Sequence, residues 1–206
     1  MVVQTIKNGI SHAWPSLIII SITLIAVRIG YHFRHHDRFV FYREFWSLLA
    51  VLYLILLYDL VTNVEFNVNS GFNIIPFNEI LRYEIGTKMF YYNVIGNIGL
   101  FIPFGFIIAK YIKPKKVWTN FSIGLLVSST IELVQLYIGR SFDIDDILLN
   151  VLGCIIGYLI YLFIKLIHRK LPKFMKSNWF NNSVCIIILI CIVIYVLKIM
   201  GVSLVI

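Results

Sequence analysis

The chain has 206 residues, 60% of them hydrophobic and 14% charged, with a mean hydropathy of +0.88; a soluble domain carries about a quarter charged residues, so much of this exterior is apolar too. Apolar content excludes a disordered chain, three cysteines exclude a secreted disulfide scaffold, and the two together exclude a multidomain soluble enzyme. What remains is a small polytopic membrane protein, one membrane domain over residues 1–206, whose net charge of +8 must be read by its placement.

A bilayer core takes about 20 apolar residues per helix, and six stretches come near that length: 14–31, 45–62, 89–112, 117–138, 146–168 and 183–206. They predict an all-α, integral membrane helical bundle. The first stretch is preceded by Lys7 and followed by Arg28, Arg34, Arg38 and Arg43, with no small-x-small cleavage site, so it reads as a permanent span and not a signal peptide. Under the positive-inside rule its basic end faces the cytoplasm, which places both termini on the extracytoplasmic side. The first, third and fifth loops together hold 13 of the 18 Lys and Arg residues. Topology and attraction to anionic membrane lipid account for the charge, and no nucleic-acid partner is needed.

Cys154, Cys185 and Cys191 fall within spans without a C-x-x-C pair and read as structural. The histidines at 12, 32, 35, 36 and 168 lie at span edges. No internal repeat is apparent.

Ionisable groups inside spans cost about 2.5 to 3.5 kcal/mol each at the centre, so their positions are informative. The fourth span rises from Val117, and at about 1.5 Å per residue Glu132 lies roughly 22 Å up, with Gln135 a turn beyond. The third span descends and sets Asn93 and Asn97 four residues apart on one face. Asp146 and Asn150 share a face of the fifth span in the same way, after a loop holding Arg140, Asp143 and Asp145. Asp59 ends the second span at that level. Together these residues form a candidate ligand-binding cluster at the outer face. Glu132 is the candidate acid or base, and Glu132, Asp143 and Asp146 are the candidate oxygen ligands for a divalent cation.

Structural roles compete with these. Asp143 can cap the fifth helix, Asp145 and Asp146 suit its positive end, and Gly153 and Gly157 can admit a neighbouring helix closely. Pro103 removes a helix hydrogen bond and should kink the third span. The apolar segment Asn73-Ile74-Ile75-Pro76-Phe77-Asn78 either packs on the membrane surface or forms a re-entrant lid over the cluster.

Three blocks carry a resemblance: that loop; Asn93-x-x-x-Asn97-x-x-x-Phe101-x-Pro103-x-Gly105; and the run Glu132-x-x-Gln135, Arg140-x-x-Asp143-x-Asp145-Asp146, Asn150-x-x-Gly153-x-x-x-Gly157. The sequence resembles the VanZ-like family in these blocks, with a family core over about 45–168 and added hydrophobic spans at 14–31 and 183–206. Ala109 departs from a proline common in the family. The resemblance implies a multi-pass protein of the bacterial cell membrane with a role in reduced susceptibility to teicoplanin-type glycopeptide antibiotics, and it implies no reaction. The leading expectation is an outer-leaflet polar site for an amphipathic or lipid-linked ligand, such as a lipid-linked cell-wall precursor or the glycopeptide itself. The alternative is a membrane enzyme acting on a lipid phosphate or polyprenyl-linked substrate through a carboxylate-bound divalent cation. A proton-coupled transporter is disfavoured by the small number of spans and the lack of an inverted repeat.

Overall fold

The computed structural model describes residues 18–31, 33–34, 39–62 and 71–199. Five helices in it are long and apolar enough to cross a membrane: α2 (Phe41–Thr62), α4 (Lys88–Ile112), α5 (Val117–Tyr137), α6 (Ile144–Lys170) and α7 (Asn178–Ile199). A sixth apolar helix, α1 (Ile18–Tyr31), is shorter, and the beginning of its predicted span at 14–17 lies outside the described residues. So do the end of the last span, the histidines at 12, 32, 35 and 36, and the loop arginine at 38. The protein is an all-α membrane bundle, as composition predicts. A short helix, α3 (Asn78–Arg82), and one parallel pair of two-residue strands, β1 (Phe72–Asn73) with β2 (Phe142–Asp143), are added at one end of the spans.

Helix ends differ from the predicted limits by up to five residues, and the caps explain it. Helix α7 starts well before Ser183 because the Ser177 hydroxyl accepts the Phe180 N–H at 3.3 Å, the bond of an N-cap to its third residue. The polar run Asn178, Asn181 and Asn182, which argues against a helix there, is inside it. Helix α6 begins at Ile144 because Asp143 caps it, accepting the Asp145 N–H at 2.9 Å.

The chain divides into two compact units. One comprises 18–52 together with the segment from 167 onwards. Within it a two-point pair joins α1 to α2, Arg28 Nε to Glu44 Oε2 at 2.6 Å and Nη2 to Oε1 at 3.1 Å. The Tyr42 N–H donates to Asn182 Oδ1 at 3.0 Å, which fastens α2 to α7.

The other unit, 53–166, holds the main core. Leu57, Phe101, Phe104, Ile108 and Cys154 are buried together, with Tyr53, Ile123, Val127 and Ile131 packed on them. The two glycines of the G-x-x-x-G run do what spacing predicts: a Cβ on Gly153 would lie 2.3 Å from the Ile98 carbonyl oxygen, and one on Gly157 2.1 Å from that of Ile102. Gly105 matches them from the opposite side, where a Cβ would meet the Cys154 oxygen at 2.0 Å. Contact that close brings polar groups into reach of one another across the helices. Asn120 donates to the Gly105 carbonyl at 2.8 Å, and Asn150 to the Ser128 hydroxyl at 3.0 Å. Pro103 lies inside α4, where the Tyr53 hydroxyl donates to the carbonyl of Leu100 three residues earlier. Near its other end α4 contains a π turn, Tyr91–Ile95.

Candidate functional site

The polar cluster is organised by one turn. Helix α5 ends at Tyr137, Gly139 takes the left-handed conformation at φ 88°, and the Arg140 N–H returns to the Gln135 carbonyl at 2.9 Å. This six-to-one bond with glycine at the bend is a Schellman ending, and it reverses the chain. The reversed segment becomes β2, which pairs with β1 so that Phe72 faces Phe142 and Asn73 faces Asp143. The Asn73 amide donates to Asp143 Oδ1 at 2.8 Å.

Asp145 is 1% exposed. Its Oδ1 accepts the Phe77 N–H at 2.5 Å, and its Oδ2 accepts those of Glu79 at 2.8 Å and Ile80 at 3.1 Å. A carboxylate thereby serves as the missing cap for α3, whose preceding residue Phe77 sits at φ 66° and has no capping side chain of its own. The apolar loop is pinned to the start of α6 by this one group.

A cavity of about 520 Å³ opens between these parts. Asn93, Arg140, Asp143, Asp145 and Asp146 line it, as do Asn73, Asn78, Glu79, Arg82 and Tyr83 from the loop and α3. Ile74, Ile75 and Ile80 supply apolar wall. Phe77, Leu81 and Ile85, which do not line the cavity, are exposed. The segment thus lines the cavity and also exposes apolar side chains. Burial pushes the Asp143 carboxyl above its ordinary value, opposed by the bonds it accepts from Asp145 and Asn73.

The remaining sequence candidates sit elsewhere. Asn97 donates to Asp146, whose carboxylate is on the cavity wall. Asn93, inside the π turn Tyr91–Ile95, lines the cavity, and Asn97, in the α-helix after it, is not part of the wall. Asn150 is used between helices, on Ser128. Glu132 is 1% exposed: Oε2 accepts the Asp143 N–H at 3.0 Å, and with the Gln135 amide assigned in the orientation its neighbours require, Oε1 accepts from the Gln135 amide nitrogen at 3.1 Å. The Gln135 oxygen in turn accepts from Arg140 Nη1 at 2.7 Å. Asp59 lies in α2 and is not part of the cavity wall. Among the described residues, no group of three or more His, Cys, Asp or Glu side chains is placed to hold a metal ion, so Glu132, Asp143 and Asp146 do not assemble as a ligand set.

The loop contributions of Asn73, Asn78, Glu79, Arg82 and Tyr83 are not evident from spacing. The signal available for them is the Asn73 to Asn78 block itself, whose apolar side chains mask the two amides that bound it.

The family model described as VanZ/LLP1 matches residues 45–167. Protein VanZ of Enterococcus faecium is similar over 116 residues at 28% identity, covering 56% of this chain and 71% of that protein. No solved structure matches. Since the family match takes in more than half of the chain and every residue around the cavity, the chain belongs to the VanZ/LLP1 family.

Proposed function

We propose that this VanZ-like protein is a multi-pass component of the bacterial cell membrane that binds an amphipathic or lipid-linked ligand at the outer leaflet and thereby lowers susceptibility to teicoplanin-type glycopeptides. The observation that carries it is the cavity: a largely polar space of about 520 Å³ lined in part by a segment that also exposes apolar side chains. Such a volume holds a head group, while the exposed Ile74, Ile75, Phe77 and Leu81 suit hydrocarbon chains beside it. The outward orientation rests on the 13 of 18 basic residues in the opposite loops.

The test is the teicoplanin susceptibility of a sensitive bacterial strain expressing the native chain or its Asp146→Asn or Asn93→Ala variant, with each protein quantified in membranes. The native chain should raise the inhibitory concentration, and both variants should lose that effect at equal protein. Variants as protective as the native chain, or a native chain without effect, overturn the reading.

A further inference from the structure

Glu132, Gln135 and Arg140 stand at different distances from the cavity. Arg140 lines it, whereas Glu132 and Gln135 are buried behind it. Only one orientation of the Gln135 amide satisfies both neighbours, with its nitrogen toward Glu132 and its oxygen toward Arg140. The hydrogen bonds therefore run one way, from guanidinium to amide to carboxylate, and the carboxylate is held in turn by the Asp143 N–H at 3.0 Å. Asp143 belongs to β2, so the same carboxylate sets both the strand and the arginine. A carboxylate accepts only, an amide donates at one end and accepts at the other, and a guanidinium donates only. The order of the three groups along the chain is thus fixed by their chemistry.

We propose that Glu132 and Gln135 are positioning residues, and that the buried carboxylate of Glu132 fixes the direction of a hydrogen-bond chain that aims the Arg140 guanidinium at the cavity. Arg140 is then the group that meets an acceptor or anionic atom of the ligand. That last role rests on the cavity being a ligand site, but the chain of bonds itself is testable with no ligand present.

The chemistry of the chain predicts a rescue. In Glu132→Gln the new amide can still accept the Asp143 N–H, but its nitrogen then faces the nitrogen of Gln135; turning Gln135 to relieve this sets a donor against Arg140. In Gln135→Glu two carboxylates meet in a buried place. In the double variant the amide introduced at position 132 accepts from Asp143 and donates to the carboxylate introduced at position 135, which in turn accepts from Arg140. Every bond is restored with the charge moved one turn along the helix. A role in which Glu132 merely fills space, or itself contacts ligand, predicts no such restoration.

The experiment uses the full chain in lipid nanodiscs, with phenylglyoxal as the probe and peptide mass spectrometry to read the modification rate at Arg140. Slow modification is expected in the native chain and in the Glu132→Gln/Gln135→Glu double variant. Glu132→Gln should react roughly tenfold faster or more, tenfold being the low end for one charge-assisted hydrogen bond, whereas Gln135→Glu keeps an acceptor for Arg140 and should show its two facing carboxylates as a lowered unfolding temperature that the double variant recovers. Single variants that fail to accumulate, beside a double variant that folds and reacts slowly, support the proposal equally. Equal rates in the native chain and Glu132→Gln overturn it, as does a double variant that reacts as fast as Glu132→Gln or does not accumulate. If the rates behave as expected and teicoplanin susceptibility does not follow Arg140, the chain of bonds stands and the functional reading fails.

Discussion

Asp145 has the clearest individual assignment in the molecule. Its two oxygens hold three backbone N–H groups that lie 65 to 68 residues earlier in the chain, and it is sealed from solvent. Replacing it with alanine removes a charged acceptor and leaves three donors to find water or remain unpaired, at a cost of about 3 kcal/mol or more. Hydrogen exchange should report this locally: the amides of Phe77, Glu79 and Ile80 speed up in Asp145→Ala, while those in the middle of α5 keep their rates. Unchanged protection in the loop would show that other contacts hold it. Sequence spacing offers Asp145 to the cluster and to the positive end of the fifth helix but does not show its bonds to the loop amides, because partners so distant along the chain leave no periodic mark. Asp143 is legible, since a capping carboxylate and the N–H that donates to it lie two residues apart. Glu132 is legible as a buried carboxyl needing an explanation, and its explanation, a chain of bonds through Gln135, needs the turn at Gly139 to bring Arg140 back.

At the level of elements, long helices are readable from hydropathy because a bilayer demands length, and the glycine faces are readable because a four-residue interval of small residues has one common use. The strand pair is not, as two residues cannot show alternation. Nor is the π turn, which has no composition of its own. The glycine contacts make a paired prediction. Gly157→Ala drives a methyl against the Ile102 carbonyl and should cost about 1 to 3 kcal/mol. Gly99 lies in α4 with nothing within 4 Å of a Cβ, so Gly99→Ala should be neutral or gain up to about 1 kcal/mol of helix propensity. Thermal unfolding in detergent should lower the midpoint for the first variant and not the second; the same loss in both would deny the difference in packing.

For the whole molecule, the distribution of basic residues makes orientation an experimental matter. In a cysteine-free background, the Ser141→Cys variant should react with a membrane-impermeant maleimide on intact cells, and Lys115→Cys only after the membrane is opened. The reverse pattern would put the cavity on the cytoplasmic side and remove the basis for an outer-leaflet ligand. Both positions flank α5, so one helix serves as the ruler.

The pairing of Phe72 with Phe142 also bears on how the protein is made. The two strands are separated by 70 positions, and at about 5 to 20 residues per second the second leaves the ribosome roughly 4 to 14 seconds after the first. Helices α4 and α5 must be threaded into the membrane during that interval. Until Asp145 arrives, the amides of the Phe77 turn lack the acceptor that will hold them. The cavity is thus among the last features to be completed, and a nascent chain halted before β2 would carry every loop residue of the site without the site itself.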